Sequence, residues 1–166
     1  KVGKPAYCEL ILPDNMPQIW QIASIVAVSV DNNPIGAFAL ADSLKEDSLQ
    51  AIQRLHQHNI DVVIMSGDQQ SVVDYVAQQV GVKTARGNCS PRDKAAYVET
   101  LRQQGKVVAM VGDGVNDAPA LAMANVSFAM KSGSDVAEQT ASATIMQHSV
   151  NQLVDGLMIY RATLKN

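Results

Sequence analysis

The chain has 166 residues and a mass of 17.8 kDa, 47% of its residues are hydrophobic, and 13 basic against 16 acidic side chains leave a net charge of −3. That length suits one compact domain with a buried core, and the absence of any run of like charge argues against a nucleic-acid or anionic-membrane partner. The longest apolar stretches, such as Ile25 to Val28 and Val107 to Val111, fall far short of the roughly 18 to 20 residues that cross a bilayer.

The first twenty residues are irregular, with Pro5, Pro13 and Pro17 clustered, and read as the tail of another module. Cys8 and Cys89 belong to no CxxC or Cys/His cluster and no signal peptide opens the chain, a pattern that fits a reducing setting and inert thiols. Val26 to Val30 reads as a strand, followed by Asp31-Asn32-Asn33-Pro34-Ile35-Gly36. An apolar strand ending in aspartate imitates a nucleophile loop, but Asp-Asn-Asn-Pro is turn chemistry and predicts a hairpin.

Beyond residue 40, short β-branched runs alternate with helical periodicity, which predicts successive βα units, a parallel sheet and an α/β fold. Leu49, Ile52 and Leu55 mark the inner face of a first helix. The run Ile60 to Met65 reads as a buried strand, and Val72, Val73, Val76 and Val80 as the stripe of a second helix stopped by Gly81. Ser90-Pro91-Arg92-Asp93 has the form of a capping box with proline at the first helical position, predicting a helix from Pro91 to about Gln104 that ends at Gly105. Further buried strands are predicted at Val107 to Val111, Val126 to Met130 and Thr144 to Met146. Val150, Leu153, Val154 and Leu157 open a last helix still in progress at Asn166.

Three clusters carry chemistry. Gly112-Asp113-Gly114-Val115-Asn116-Asp117-Ala118-Pro119 follows a predicted strand directly. At the carboxyl end of a parallel strand the chain leaves the sheet beside a ligand crevice, and two glycines let it turn tightly about Asp113. Asp113 and Asp117, four residues apart with few local cations, make an oxygen-only donor pair suited to Mg²⁺; the simpler reading is that Asp117 only caps the next helix. Ser66-Gly67-Asp68 ends another predicted strand, where a hydroxyl and exposed amides can receive phosphate oxygens unless they merely cap the helix that follows. Lys94 falls in the first turn of its helix, where the macrodipole disfavours a cation and an anion nearby would offset the cost; alone it would read as a solvated lysine. Together the three form a site for a transferring phosphoryl group that lacks only a nucleophile.

SGD, then the lysine of SPRDK, then GDGVNDAPAL resembles the second, third and fourth motifs of the haloacid dehalogenase superfamily as they occur in P-type ATPases, above all the heavy-metal branch of bacterial copper pumps. Ala41 to Ser48 (ADSLKEDS), Ile145 to Ser149 (IMQHS) and Arg161 to Asn166 (RATLKN) extend the likeness over residues 36 to 166. Residues 1 to 35 match only loosely, as the end of a nucleotide-binding domain and its return hairpin. The resemblance implies a Rossmann-like parallel sheet with helices on both faces, in a phosphorylation domain at the cytoplasmic face of the membrane. It further implies Mg²⁺ held by Asp113 and Asp117, Asn116 near the phosphoryl group, Lys94 and Ser66 on its oxygens with Gly67, and Asp68 near nucleotide and metal. The implied reaction is ATP hydrolysis coupled to export of a heavy-metal cation, Cu⁺ foremost, and the implied partners are the nucleotide-binding, actuator and transmembrane domains of the same pump.

Two departures from the family pattern are a serine at 66, where threonine is usual, and Lys131, where glycine is common. A third is larger: no Asp-Lys-Thr-Gly-Thr occurs, so the aspartate that accepts phosphate, and the central strand that bears it, are missing. The chain therefore reads as a piece of a longer polypeptide, silent by itself. The competing expectations are a free-standing phosphatase using Asp31 and a non-catalytic Mg²⁺- and phosphate-binding module.

Overall fold

Packing divides the chain into two units, Lys1–Leu44 and Lys45–Asn166, in a computed structural model that describes residues 1–41, 43–113, 115–130, 135–145 and 149–163. Lys131, Asp42, Gly114 and the stretches 132–134, 146–148 and 164–166 lie outside the described residues. Length alone suggested one domain, and the family likeness placed a boundary after residue 35. By packing, the strand that starts at Asn33 stays with its hairpin partner, and the units part after Leu44.

In the first unit, β1 (Val2–Gly3), the short helix α1 (Gln18–Ile22), β2 (Ser24–Val30) and β3 (Asn33–Leu40) follow in order, the strands forming an antiparallel β1-β2-β3 sheet. Val30 pairs with Asn33 across a two-residue turn in which Asp31 and Asn32 both take positive φ, 49° and 62°. A tight turn of this hand requires positive φ at both central positions, which asparagine and aspartate tolerate better than other side chains. The hairpin expectation holds, and Asp31 sits in a surface turn. Ala27 and Ser29 face inward with Cys8, whose Sγ donates to the Ala27 carbonyl at 3.3 Å.

The second unit runs α2 (Ser48–Gln57), β4 (Val63–Met65), α3 (Gln70–Val80), β5 (Thr84–Arg86), α4 (Pro91–Gln103), β6 (Ala109–Gly112), α5 (Ala118–Met123), β7 (Val126–Met130), α6 (Asp135–Thr140), β8 (Ala143–Ile145) and α7 (Val150–Thr163). All strand pairs are parallel, but they fall into two sheets, β4-β5 and β6-β7-β8, and among the described residues no ladder joins β4 to β6. Ala51 and Leu55 of α2 pack with Val126, Phe128, Ile145, Leu153, Val154 and Leu157 against the β6-β7-β8 sheet. A second cluster, Ala77, Val80 and Val82 with Ile64 and Ala85, covers β4-β5, and Ile52 and Val62 touch both. Each large aliphatic side chain so buried contributes about 1.5–3 kcal/mol.

Most predicted elements are present, with four corrections. Val107 and Val108 precede β6, which starts at Ala109, and Val107 is 71% exposed rather than buried. Leu49 is 47% exposed and Ala51 takes its place in the core, because the helix begins at Ser48 and its inner face falls on 51 and 55. Ile60, Asp61 and Val62 precede β4 rather than forming it. Thr84–Arg86 forms an additional strand that three mostly exposed residues could not announce; parallel pairing with β4 creates it. Gly81 and Gly105 stop their helices with φ of 75° and 77°.

Candidate functional site

Two of the predicted clusters, Ser66 to Asp68 and Gly112 to Asp117, stand at the carboxyl end of a parallel strand, and Lys94 lies in the first turn of the helix after β5. Met65 ends β4, Arg86 ends β5 in register with it, and Gly112 ends β6. After β4 the chain turns through Ser66, whose Oγ donates to Asp68 Oδ2 at 2.7 Å and accepts the Asp68 amide at 3.2 Å. Neither residue caps α3, whose N-cap is Gln69 without a side-chain bond. This loop is instead fastened to the one after β5. The Ser66 amide donates to the Arg86 carbonyl at 3.0 Å, Asn88 N–H to the Asp68 carbonyl at 2.6 Å and Cys89 N–H to the Ser66 carbonyl at 2.9 Å. Gly67 lies against the Cys89 carbonyl, where a Cβ would make only ordinary contact at 3.7 Å.

Two participants in this seam escaped the sequence reading. Gln70 Oε1 accepts the Gly87 amide at 2.6 Å, and a Cβ on Gly87 would lie 2.5 Å from Gln70 Cα. Glycine is therefore required at 87 for the loops to touch, and the sequence signal that could have found it is a glycine directly after a strand. Beside the seam lies a groove of about 520 Å³ lined by Met65, Asn88, Cys89, Tyr97 and Thr100, with the Arg86 guanidinium 4.4 Å above the Tyr97 ring.

The second loop leads straight into α4, whose start is fixed by the reciprocal capping box. The Asp93 amide donates to Ser90 Oγ at 3.2 Å, and Asp93 Oδ2 accepts both the Ser90 amide at 2.8 Å and its hydroxyl at 2.6 Å. The Ser90 hydroxyl foremost, then its amide, hold the Asp93 carboxyl below its ordinary range. With its start fixed, the helix carries Lys94 inward. Lys94 Nζ donates to Asp117 Oδ1 at 2.8 Å, and the two side chains are only 13% and 11% exposed.

Asp117 closes a short 3₁₀ turn, Val115–Asp117, and opens α5, yet its carboxylate does not cap that helix. Its second oxygen, Oδ2, accepts the Asp113 amide at 3.3 Å, so the aspartate folds back against its own strand. A Cβ at Gly112 would stand 2.5 Å from Asp117 Cβ, and only glycine leaves room for that return. Asp113 and Asn116 are exposed at the rim. Lys94, Asp117 and the Asp113 backbone are thus joined directly, while Ser66, Gly67 and Asp68 reach them through the seam and the first turn of α4.

The donor set fits Mg²⁺ in a specific sense. Among the described residues no three or more His, Cys, Asp or Glu side chains gather as a metal cage. One exposed carboxylate beside one buried and lysine-paired carboxylate suits an ion that keeps waters and shares phosphate oxygens. Lys94, close to the N-terminus of α4, adds a cation where phosphate charge would accumulate.

Residues 3–125 match a family model described as haloacid dehalogenase-like hydrolase, and residues 94–157 match a second model of the same description. Over all 166 residues the chain is 74% identical to a probable cation-transporting ATPase of Haemophilus influenzae, covering 23% of that protein. Over 143 residues, 86% of the chain, it is 36% identical to a copper-exporting P-type ATPase of Bacillus subtilis, covering 18% of it. A solved zinc-transporting PIB-type ATPase superposes with a TM-score of 0.82 at 34% identity, over 89% of this chain and 24% of that one. The chain spans less than a quarter of the length of each. The chain belongs to the haloacid dehalogenase-like hydrolase family.

Proposed function

We propose that this chain is the greater part of the phosphorylation domain of a heavy-metal P-type ATPase, at the cytoplasmic face of the membrane, with residues 1–35 the end of its nucleotide-binding domain and the hairpin that returns from it. The observation that carries the reading is the buried Lys94–Asp117 pair set against Gly112-Asp113 at a parallel strand end. Its roles follow from charge. Asp113 and Asp117 hold Mg²⁺, Lys94 and the Ser66 hydroxyl grip phosphoryl oxygens with Gly67, Asn116 hydrogen-bonds at the rim, and Asp68 orients Ser66 close to nucleotide and metal. Bound Mg²⁺ supplies neutralisation of the ATP phosphate charge.

The two separate parallel sheets support the reading further. Among the described residues β4 pairs only with β5 and β6 only with β7, so each presents an unpaired edge. Such edges are costly unless another strand satisfies their amides and carbonyls. A strand from elsewhere in the pump, ending in the nucleophilic aspartate, would fit there. Its carboxylate forms the bond to the γ-phosphorus as the bond to the ADP oxygen breaks, and water later cleaves the aspartyl phosphate. The cargo we assign is Cu⁺, as in the copper-exporting relative at 36% identity; the zinc-transporting structure at 34% identity makes Zn²⁺ the alternative. ATP binding and the actuator and transmembrane partners belong to the same proposal.

The test is phosphorylation. Incubated with labelled ATP and Mg²⁺, this chain is expected to give no acid-stable, hydroxylamine-sensitive phosphoprotein. A longer chain that includes an Asp-Lys-Thr-Gly-Thr strand should give one, lost in Asp113→Ala. Labelling of Asp31 in the present chain would overturn the reading in favour of a free-standing phosphatase. Magnesium-dependent phosphate binding without labelling of the longer chain would favour a binding module.

A further inference from the structure

The residues that enter the second unit are tied to its last helix. Asp47, three positions after the unit boundary, sends Oδ2 to two partners a hundred residues away: the Ser149 hydroxyl donates to it at 2.7 Å and the Asn151 amide at 2.9 Å. Asn151 is the second residue of α7, where a backbone amide has no partner inside the helix. The Asp47 carbonyl meanwhile accepts the Ala51 amide at 2.9 Å, so one residue holds the first turns of both α2 and α7. Ser149 foremost, then the Asn151 amide, hold the Asp47 carboxyl below its ordinary range, while partial burial opposes them.

A second fastening lies further along α2. Arg54 donates to Asn151 Oδ1 at 2.9 Å and to Asp155 Oδ1 at 2.6 Å, and Asn151 Nδ2 donates to Gln50 Oε1 at 3.2 Å. At the far end Arg161 Nη1 donates to the His58 carbonyl at 2.8 Å. Beneath this polar strip Ala51 and Leu55 pack on Leu153, Val154 and Leu157. Packed helices can shear past one another in small steps; directional bonds at both ends and the middle resist that sliding.

We propose that Asp47 and Arg54 form a strap that makes α2 and α7 one mechanical piece, so that displacement of residues 45–47 carries the first turn of α7 with it. The strap is a property of this chain; its use, to pass movement at the unit junction towards whatever follows α7, rests on the pump reading.

Hydrogen exchange resolved by NMR on the 166-residue chain tests it, with tryptic cleavage after Lys45 as a second reporter. Asp47→Ala is expected to speed exchange at residues 150–153 about five- to tenfold, the size of a lost helix cap, and to quicken cleavage, with a smaller acceleration at β7 amides. Arg54→Asp should loosen the middle of α7, and adding Asp155→Arg should restore it. If Asp47→Ala does not fold, Ser149→Ala, which removes one of the two bonds, must give the same local pattern at smaller size. Unchanged α7 exchange, equal acceleration at every amide, or no rescue by the charge swap would each overturn the strap. None of these outcomes depends on phosphorylation, so the strap and the pump reading fail separately.

Discussion

Two aspartates in this chain follow an apolar strand and lead a turn rich in Gly, Asn or Pro, and the fold treats them in opposite ways. Asp31 lies between antiparallel strands, in a two-residue turn whose register brings Val30 back beside Asn33. Asp113 follows a parallel strand, and parallel connection obliges the chain to cross over through a helix before it returns. That crossover turns Asp117 back beside the strand end, and α4, the helix that leads into β6, brings Lys94, 23 residues earlier, to 2.8 Å from it. A hairpin returns the chain to its own neighbour and collects nothing; a crossover delivers side chains from other elements to the same rim.

Variants can break or sharpen that contrast. The largest effect is expected for Lys94→Met, which strands a carboxylate on a side chain only 11% exposed. The cost should be about 3 kcal/mol in urea unfolding, the penalty for leaving one member of a buried ion pair. Gly112→Ala should follow at about 2 kcal/mol, since its Cβ must push Asp117 aside, and a crystal structure of the variant should show the Asp117 carboxylate moved out of hydrogen-bonding reach of Lys94 Nζ.

Away from the site, Asp47→Ala should cost about 1 kcal/mol at pH 7. Because the folded carboxyl titrates below its ordinary 3.8, that contribution is complete above the ordinary value and lost as pH falls through the lowered one. Thermal unfolding of wild type and variant should therefore converge below pH 3.8. The smallest effect belongs to Asp31→Gly, which keeps positive φ accessible and should move stability by no more than about 0.5 kcal/mol. A large loss there would erase the distinction between the two aspartates.

Features that close within a few residues were legible from the letters alone. Ser90 and Asp93 form the capping box as written, Gly81 and Gly105 stop their helices, and the Asp-Asn turn folds its hairpin. The residue types of the candidate site, and the strand-end positions of Ser66 and Asp113, were legible for the same reason, since a strand followed by Gly-Asp-Gly constrains its own turn. Leu49 was misplaced because helical periodicity gives the stripe but not its phase against a core. Gln70 and Gly87 were missed because they meet only once β4 and β5 lie in register.

By itself, then, the sequence determined which elements form and which chemical groups stand at their ends, because caps, turns and apolar periods act over three or four neighbours. Tertiary structure alone decided that Asp117 turns to Lys94 instead of capping α5 and that Asp47 holds Asn151 from 104 positions away. Those outcomes are settled when whole helices and strands pack, and no local preference encodes the distances that result.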